Sequence, residues 1–85
     1  MKLIVWVTVY MQINLLYFAQ VREEFGKDGE TITVKDGMTV SELLQEKATA
    51  FESSVAVAVN QAVVGRKHIL KDGDEVVLIP PVSGG

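Results

Sequence analysis

One segment of this 85-residue chain has the pattern of a helix long enough to cover a sheet, and it limits the architectures open to the rest. Thr39 and Glu42 form the Thr-x-x-Glu pattern of a capping box, in which each side chain satisfies a free backbone amide at the helix start. The apolar residues that follow at helical spacing are Val40, Leu43, Leu44, Ala48 and Phe51. A helix with a single apolar stripe must bury that stripe, so the pattern predicts a helix packed on one face of a sheet.

Short apolar segments on both sides of this helix are predicted to be the strands of that sheet. They are residues 3–18, Glu30–Val34, Val55–Val59, Ala62–Val64 and Glu75–Ile79. A shorter helix, Ala19–Phe25, follows the first strand, and Gly26 suits the left-handed conformation just past a helix end. The order strand, short helix, strand, helix and three strands predicts an α+β fold.

Placing the first and last strands side by side in parallel gives the β-grasp arrangement of ubiquitin. This is a mixed sheet with one main helix across one face and a free C-terminal tail. Alternation then puts Leu16 and Phe18 of the first strand, and Val77 and Ile79 of the last, on the face away from the helix. Exposed apolar side chains there indicate either a partner surface or a second layer that covers the sheet.

The chain ends in the segment Pro80-Pro81-Val82-Ser83-Gly84-Gly85, which is predicted to leave the sheet. The two prolines lack backbone donors, so strand pairing must end there. The two glycines have no side chains, so the terminal carboxylate could enter a narrow channel of another protein. An ionised carboxylate can attack the α-phosphate of ATP, and the acyl-adenylate can then react with sulfide or persulfide. The tail therefore indicates a carrier whose own C-terminus is the reacting group.

The remaining composition argues against several classes of function. The chain has no cysteine, which excludes disulfides, thiol catalysis and cysteine-based metal sites and fits a reducing cytoplasm. Its lone histidine, His68, lies in a polar loop without a partner group, so no metal site or acid–base pair is indicated. The net charge of −3 and the lack of a basic patch argue against nucleic-acid binding. The apolar N-terminal run is too short for a membrane span and lacks a clear signal cleavage site.

Several blocks of the sequence resemble the small subunit of molybdopterin synthase, a MoaD-type sulfur carrier of the MoaD/ThiS superfamily. These blocks are Leu15–Gly26, Val57–Gln61, Leu70–Val76 and Pro80–Gly85. The resemblance covers about residues 11–85. It divides the chain into an N-terminal extension at 1–10, a β-grasp domain at 11–80 and a flexible Gly-Gly tail at 81–85, and makes Met11 a candidate natural start.

The resemblance implies a chemistry for the last residue. Gly85 would be adenylated with ATP by a MoeB-type adenylyltransferase and converted by a sulfur donor system to a thiocarboxylate, a C-terminal 1-thioglycine. This group would give its sulfur to cyclic pyranopterin monophosphate in molybdenum cofactor biosynthesis. The resemblance implies no tightly bound cofactor.

The resemblance also implies a partner. The tail residues Pro81, Val82, Ser83 and Gly84 would insert into a MoaE-type large subunit, which supplies the catalytic residues. This chain would be the non-catalytic small subunit of a cytoplasmic heterotetramer. By matching positions, the surface that contacts the large subunit would include Phe18, Val63 and Ile79.

Three alternatives remain open from the sequence. A ThiS-type carrier for thiamine thiazole synthesis shares the Gly-Gly end and the Asp-Gly-Asp turn, but generally lacks the Phe-Ala-x-x-Arg-Glu block and the Pro-Pro pair. A ubiquitin-like protein modifier would be joined to target lysines through Gly85. A β-grasp binding module with an inert tail would need no reaction at all.

Overall fold

The computed structural model of the protein describes residues 9–81. In chain order its elements are β1 (Tyr10–Tyr17), α1 (Ala19–Phe25), β2 (Gly29–Lys35), α2 (Val40–Lys47), β3 (Ala56–Val59), β4 (Ala62–Val64) and β5 (Glu75–Ile79). This order of strands and helices is the predicted one, and the α+β class is confirmed. Tyr10 pairs with Lys35 at the first rung of the β1–β2 ladder. The preceding residues 1–8 of the predicted extension lie outside the described residues.

The five strands form one mixed sheet in the order β2-β1-β5-β3-β4. The central pair, β1 and β5, is parallel, with partners from Asn14 and Glu75 to Tyr17 and Leu78. The other three pairs are antiparallel. The first and last strands are therefore neighbours in parallel, as the β-grasp prediction required.

Helix α2 begins as the sequence predicted but ends earlier. The Thr39 hydroxyl accepts a hydrogen bond from the Glu42 amide at 3.2 Å, and the Glu42 carboxylate accepts one from the Thr39 amide at 3.3 Å. The predicted stripe is wrong at Ala48, which is exposed and caps the helix with φ 51° in the left-handed region. The chain reverses there, and Thr49, the next residue, is buried.

The core lies between α2 and the inner face of the sheet. Its fully buried side chains include Ile13, Leu15, Tyr17, Val21, Leu43, Leu44, Val57, Leu70, Val76 and Leu78. Helix α1 contributes Val21 and ends at Gly26, whose φ of 70° matches the expected stop. The Glu24 carboxylate accepts hydrogen bonds from the Thr49 hydroxyl at 2.5 Å and the Ala50 amide at 2.6 Å. It thereby ties α1 to the turn after α2.

A polar cluster closes the core where β1 ends. One Glu30 carboxylate oxygen accepts hydrogen bonds from the Tyr17 hydroxyl at 2.6 Å and the Lys47 ammonium at 2.8 Å. The Lys47 ammonium also lies 5.0 Å from the ring centroid of Phe25, within the range of a cation–π contact. The bond from Lys47, followed by that from Tyr17, lowers the pKa of Glu30 to about 2. Burial, followed by the bond to the Glu30 carboxylate, raises the pKa of Tyr17.

The Glu30 cluster predicts a specific acid sensitivity. Because the folded pKa lies below the ordinary value of 4.5, ionised Glu30 stabilises the fold above about pH 4.5, and this stabilisation is lost as pH falls toward 2. Linkage sets an upper bound of about 3 kcal/mol, and screening of a side chain that is 24% exposed reduces it to about 1 kcal/mol. We expect Glu30→Gln to lower the free energy of unfolding by about that amount at pH 7, and by much less at pH 2.5.

Urea denaturation of both proteins at the two pH values measures this difference. Glu52→Gln is the matched control, since Glu52 is exposed and forms no side-chain ion pair within the described part of the chain. An equal effect of Glu30→Gln at both pH values would contradict the role assigned to Glu30.

Candidate functional site

The candidate site begins where the last strand ends and the tail leaves the sheet. Ladder pairing of β5 with β3 reaches its last rung at Ile79, opposite Ala56. Pro80 is buried and Pro81 is exposed, and neither has a backbone N–H to continue the ladder. The predicted tail residues Val82, Ser83 and Gly84 and the predicted reacting residue Gly85 lie outside the described residues.

An apolar patch lies at this end of the sheet, on the face opposite α2. We call it the exit patch, and its members are Leu16, Phe18, Val63, Val77 and Ile79. Strand register makes it continuous, because Leu16 is paired with Val77, Val77 with Ala58, and Ala58 with Val63. The row therefore crosses four strands, and Ile79 lies two residues further along β5.

The exit patch is open to solvent in the described part of the protein. Val63 is 75% exposed, Phe18 50%, Ile79 37% and Leu16 36%. Within residues 9–81, no second layer covers these side chains. Exposed contiguous apolar side chains of this kind mark interaction sites.

The opposite end of the same face is polar. Gln12 and Asn14 of β1 and Glu75 of β5 are exposed there, and the Thr31 hydroxyl donates a hydrogen bond to the Asn14 side-chain oxygen at 2.9 Å. Because β1 and β5 run parallel, both strands change from polar to apolar in the same direction. The apolar half of the face is consequently the half beside the tail.

The structure brings the three predicted partner residues to this one surface. Val63 and Ile79 lie on strands, whereas Phe18 lies just past β1 and caps α1. The Phe18 carbonyl accepts a hydrogen bond from the Val21 amide at 3.0 Å, but the Phe18 side chain makes no capping bond. Ala19 follows with φ 47°, in the left-handed region, and this turn directs the chain into α1 while Phe18 stays exposed.

Sequence reasoning missed two contributors to the exit patch. Ala56 and Ala58 of β3 lie on the same face, opposite Ile79 and Val77 respectively. Alanine carries little hydrophobic signal, so only the register of β3 identifies these positions. Their methyl side chains are shorter than those of the neighbouring patch residues Ile79 and Val77.

Gly29 of β2 shapes the edge of the patch by its lack of a side chain. A Cβ atom at this position would lie 2.3 Å from the carbonyl oxygen of Leu15 and 3.2 Å from a methyl carbon of Leu16. The Leu16 side chain therefore packs beside the bare backbone of Gly29.

The Asp-Gly-Asp turn before β5 is structural and lies at the polar end of the sheet. Asp74 is buried, and its carboxylate accepts hydrogen bonds from the Asn60 side chain at 2.9 Å and the Lys71 amide at 2.8 Å. Asp72 accepts one from the Gln12 amide at 2.8 Å. These bonds hold the start of β5 against β1 and the β3–β4 turn, so both carboxylates stabilise the fold.

The described residues contain no arrangement of side chains typical of a catalytic or metal centre. Among residues 9–81, no group of three histidine, cysteine, aspartate or glutamate side chains is placed to hold a metal ion. The His68 side chain is exposed, and its backbone carbonyl accepts a hydrogen bond from the Val40 amide at 2.9 Å. Neither described helix has the length and apolar character that crossing a membrane requires.

Comparison with known proteins gives concordant matches. Residues 15–85 match the ThiS family. The chain is 42% identical over 83 residues to the molybdopterin synthase sulfur carrier subunit of Chlamydomonas reinhardtii. This match covers 88% of this chain and 100% of that protein. It is 41% identical over 81 residues to the protein of the same name from Escherichia coli, covering 86% of this chain and 99% of that protein.

One solved structure similar to this fold is a complex. It is the protein–protein complex of subunits 1 and 2 of molybdopterin-converting factor from Helicobacter pylori. The matching chain is 31% identical, with a TM-score of 0.59, and the match covers 88% of this chain and 100% of that chain.

The close approach at Gly29 predicts a local stability effect. Gly29→Ala places a methyl group against the Leu15 carbonyl, so β2 must shift, and we expect a loss of about 1–3 kcal/mol in the free energy of unfolding. Thermal or urea denaturation measures this loss, with Gly65→Ala as the control, since a Cβ there meets no atom within 4 Å. Equal stability of the two variants would contradict the contact.

Proposed function

The chain belongs to the ThiS family, and from that premise we propose that it is the sulfur carrier subunit of a molybdopterin synthase. The observation that carries this proposal is the position of the exit patch beside a tail that ends in Gly84 and Gly85. Both relatives described above are named as this subunit, and the match to this chain covers 100% and 99% of them. Those names favour the molybdopterin function over the ThiS-type function in thiamine thiazole synthesis.

The proposed reaction takes place on the Gly85 carboxylate. A carboxylate oxygen attacks the α-phosphorus of ATP and displaces pyrophosphate, which leaves an acyl-adenylate. Sulfide, delivered by the sulfur donor system, then attacks the acyl carbon, displaces AMP and leaves a thiocarboxylate. Transfer of that sulfur to the pterin substrate, with water supplying the replacement oxygen, regenerates the carboxylate. A MoeB-type adenylyltransferase would catalyse the activation.

The proposed role explains what the described residues do. They supply a folded domain, a docking surface and a Pro-Pro segment that starts the tail. The groups that catalyse sulfur transfer belong to the large subunit. A tail of small residues can enter the active site of that subunit without steric conflict. The prolines at 80 and 81 end the sheet, so the tail is not held in the ladder.

The large subunit is proposed to bind the exit patch. The complex from Helicobacter pylori supports a pairing of two subunits in this family. Phe18 suits the role of an anchor, since exposed aromatic side chains dominate the binding energy of many interfaces. Docking at the exit patch brings Pro81, where the tail starts, to the partner. Two such pairs of small and large subunits would form the proposed heterotetramer.

Substitution at Phe18 tests the docking surface without loss of the fold. Phe18 is the N-cap of α1, and its side chain makes no capping hydrogen bond. Phe18→Asp therefore introduces a residue type that is favourable at the N-cap. The same substitution places a negative charge in the exit patch. We expect at least about a tenfold weaker affinity for the large subunit, with unchanged or slightly higher thermal stability. Isothermal titration calorimetry with the purified large subunit measures the affinity.

Thr33→Asp is the matched control, because Thr33 lies on the polar part of the same face. Its affinity should stay within about twofold of the original, since charges outside an interface core change affinity little. Equal affinities for the Phe18→Asp and Thr33→Asp proteins would contradict docking at the exit patch.

Deletion of Gly85 tests the reacting group. After incubation with ATP, the adenylyltransferase and a sulfur donor, the intact mass of the full chain should rise by the difference between sulfur and oxygen. The protein lacking Gly85 should show no rise and no pterin sulfuration, with its thermal unfolding unchanged. A full-chain protein that never gains this mass would contradict the carrier function. Slower-migrating, reductant-resistant conjugates that require Gly85 would instead indicate a protein modifier.

A further inference from the structure

The edge strand β2 has backbone groups that point away from the rest of the sheet. The Tyr17 amide donates to the Asp28 carbonyl and the Asp36 amide donates to the Val9 carbonyl, both at 2.8 Å. In an antiparallel ladder these bonds alternate, so the even-numbered residues of β2 face β1, while Thr31 and Thr33 direct their N–H and C=O groups outward. Within residues 9–81, no hydrogen bond reaches the backbone groups of Thr31 or Thr33.

A groove runs beside this free edge, between β2 and α2. Its volume is about 560 Å³. Tyr10, Val34 and Met38 supply its apolar lining, Glu42 and Glu46 stand on its helical wall, and Lys35 lines it from the strand side. An incoming strand paired with Thr31 and Thr33 would direct every second side chain into this groove, because side chains alternate between the two faces of a sheet.

The charged side chains that line the groove carry a net negative charge, with Glu42 and Glu46 on the helical wall and Lys35 on the strand side. Glu42 and Glu46 are four residues apart on α2, where like charges repel each other. Glu46 also lies in the last turn of α2, where the helix dipole disfavours a carboxylate. Among the described side chains, neither glutamate forms an ion pair. A cation from a partner would be favourable at this wall.

We propose that the β2 edge and this groove bind an extended peptide segment as a sixth strand. Its backbone pairs with Thr31 and Thr33, one apolar side chain packs over Val34 and Met38, and a lysine or arginine lies beside Glu46. Strand addition gives affinity through main-chain hydrogen bonds, and the groove gives specificity through alternate side chains. The charge of the wall selects a basic partner segment over an acidic one.

This surface is separate from the exit patch. Glu42 and Glu46 of α2 line the groove, which therefore lies on the α2 side of the sheet edge, whereas the exit patch lies on the opposite face. A partner docked on the exit patch would therefore cover a different face from the groove. The inference does not depend on the proposed sulfur carrier function.

The test uses the full chain labelled with ¹⁵N and a capped heptapeptide of sequence Thr-Val-Thr-Val-Thr-Arg-Thr as the probe. We expect saturable shifts of the Thr31 and Thr33 amide resonances, and hydrogen exchange of both amides slowed by about fivefold or more. Thr33→Pro removes the outward N–H without loss of a sheet bond and should weaken binding by at least about tenfold. Thr33→Val keeps the N–H and should bind as the original does.

A charge exchange tests the helical wall. Glu46→Lys should weaken binding of the arginine peptide by about threefold to fivefold, the range of an exposed ion pair. It should strengthen binding of the same peptide with glutamate in place of arginine. Glu52→Lys, a charge reversal outside the groove, should change neither affinity.

Three outcomes would overturn the proposal. The first is the absence of saturable shifts at Thr31 and Thr33 with the arginine peptide. The second is a concentration-dependent shift of these amides without peptide, together with a dimer in sedimentation, since the edge would then pair with a second copy of the chain. The third is binding only after removal of residues 1–8, which would make that segment the natural occupant.

Discussion

The parallel pairing of β1 with β5 is the constraint on which the rest of the structure depends. It joins the two ends of the folded domain at the centre of the sheet and places the exit of the tail beside the end of β1. Polar arrangements lie at both ends of β1, and the one at its start also fixes β5. Asp72 and Asp74 hold the start of β5, and the cluster of Tyr17, Glu30 and Lys47 closes the end of β1.

The same pairing produces the division of the outer face. Polar residues lie at the start of both central strands and apolar residues at their ends, so one direction along the sheet leads from a solvated surface to the exit patch. An antiparallel arrangement would have set the polar start of one strand against the apolar end of the other. The proposed docking surface thus depends on strand direction as well as on the exposed side chains, because only the parallel arrangement collects the apolar ones at the end of β5.

Much of the fold could be predicted because its signals are local. The capping box at Thr39 and the glycine stop at Gly26 each involve neighbours in sequence, and both were found where expected. Errors arose where a distant contact decided the outcome. Ala48, predicted in the apolar stripe, is exposed because the chain reverses there, and the Glu24 carboxylate holds this turn by bonds to Thr49 and Ala50. A helical periodicity contains no information about such contacts.

The sequence by itself determined the elements, the apolar faces of the strands, the Pro-Pro exit and the side-chain-free end at Gly85, since composition and spacing encode each of them. Only the tertiary structure decided which apolar residues form one surface. The register across four strands joined Leu16 to Val63 through Ala58 and Val77, and the pairing of Ala56 with Ile79 extended that surface toward the tail. The free backbone of the β2 edge likewise became apparent only from the register. Hydrogen bonds between strands are made by the backbone and are the same for every residue type, so side-chain identity alone cannot specify which strands meet.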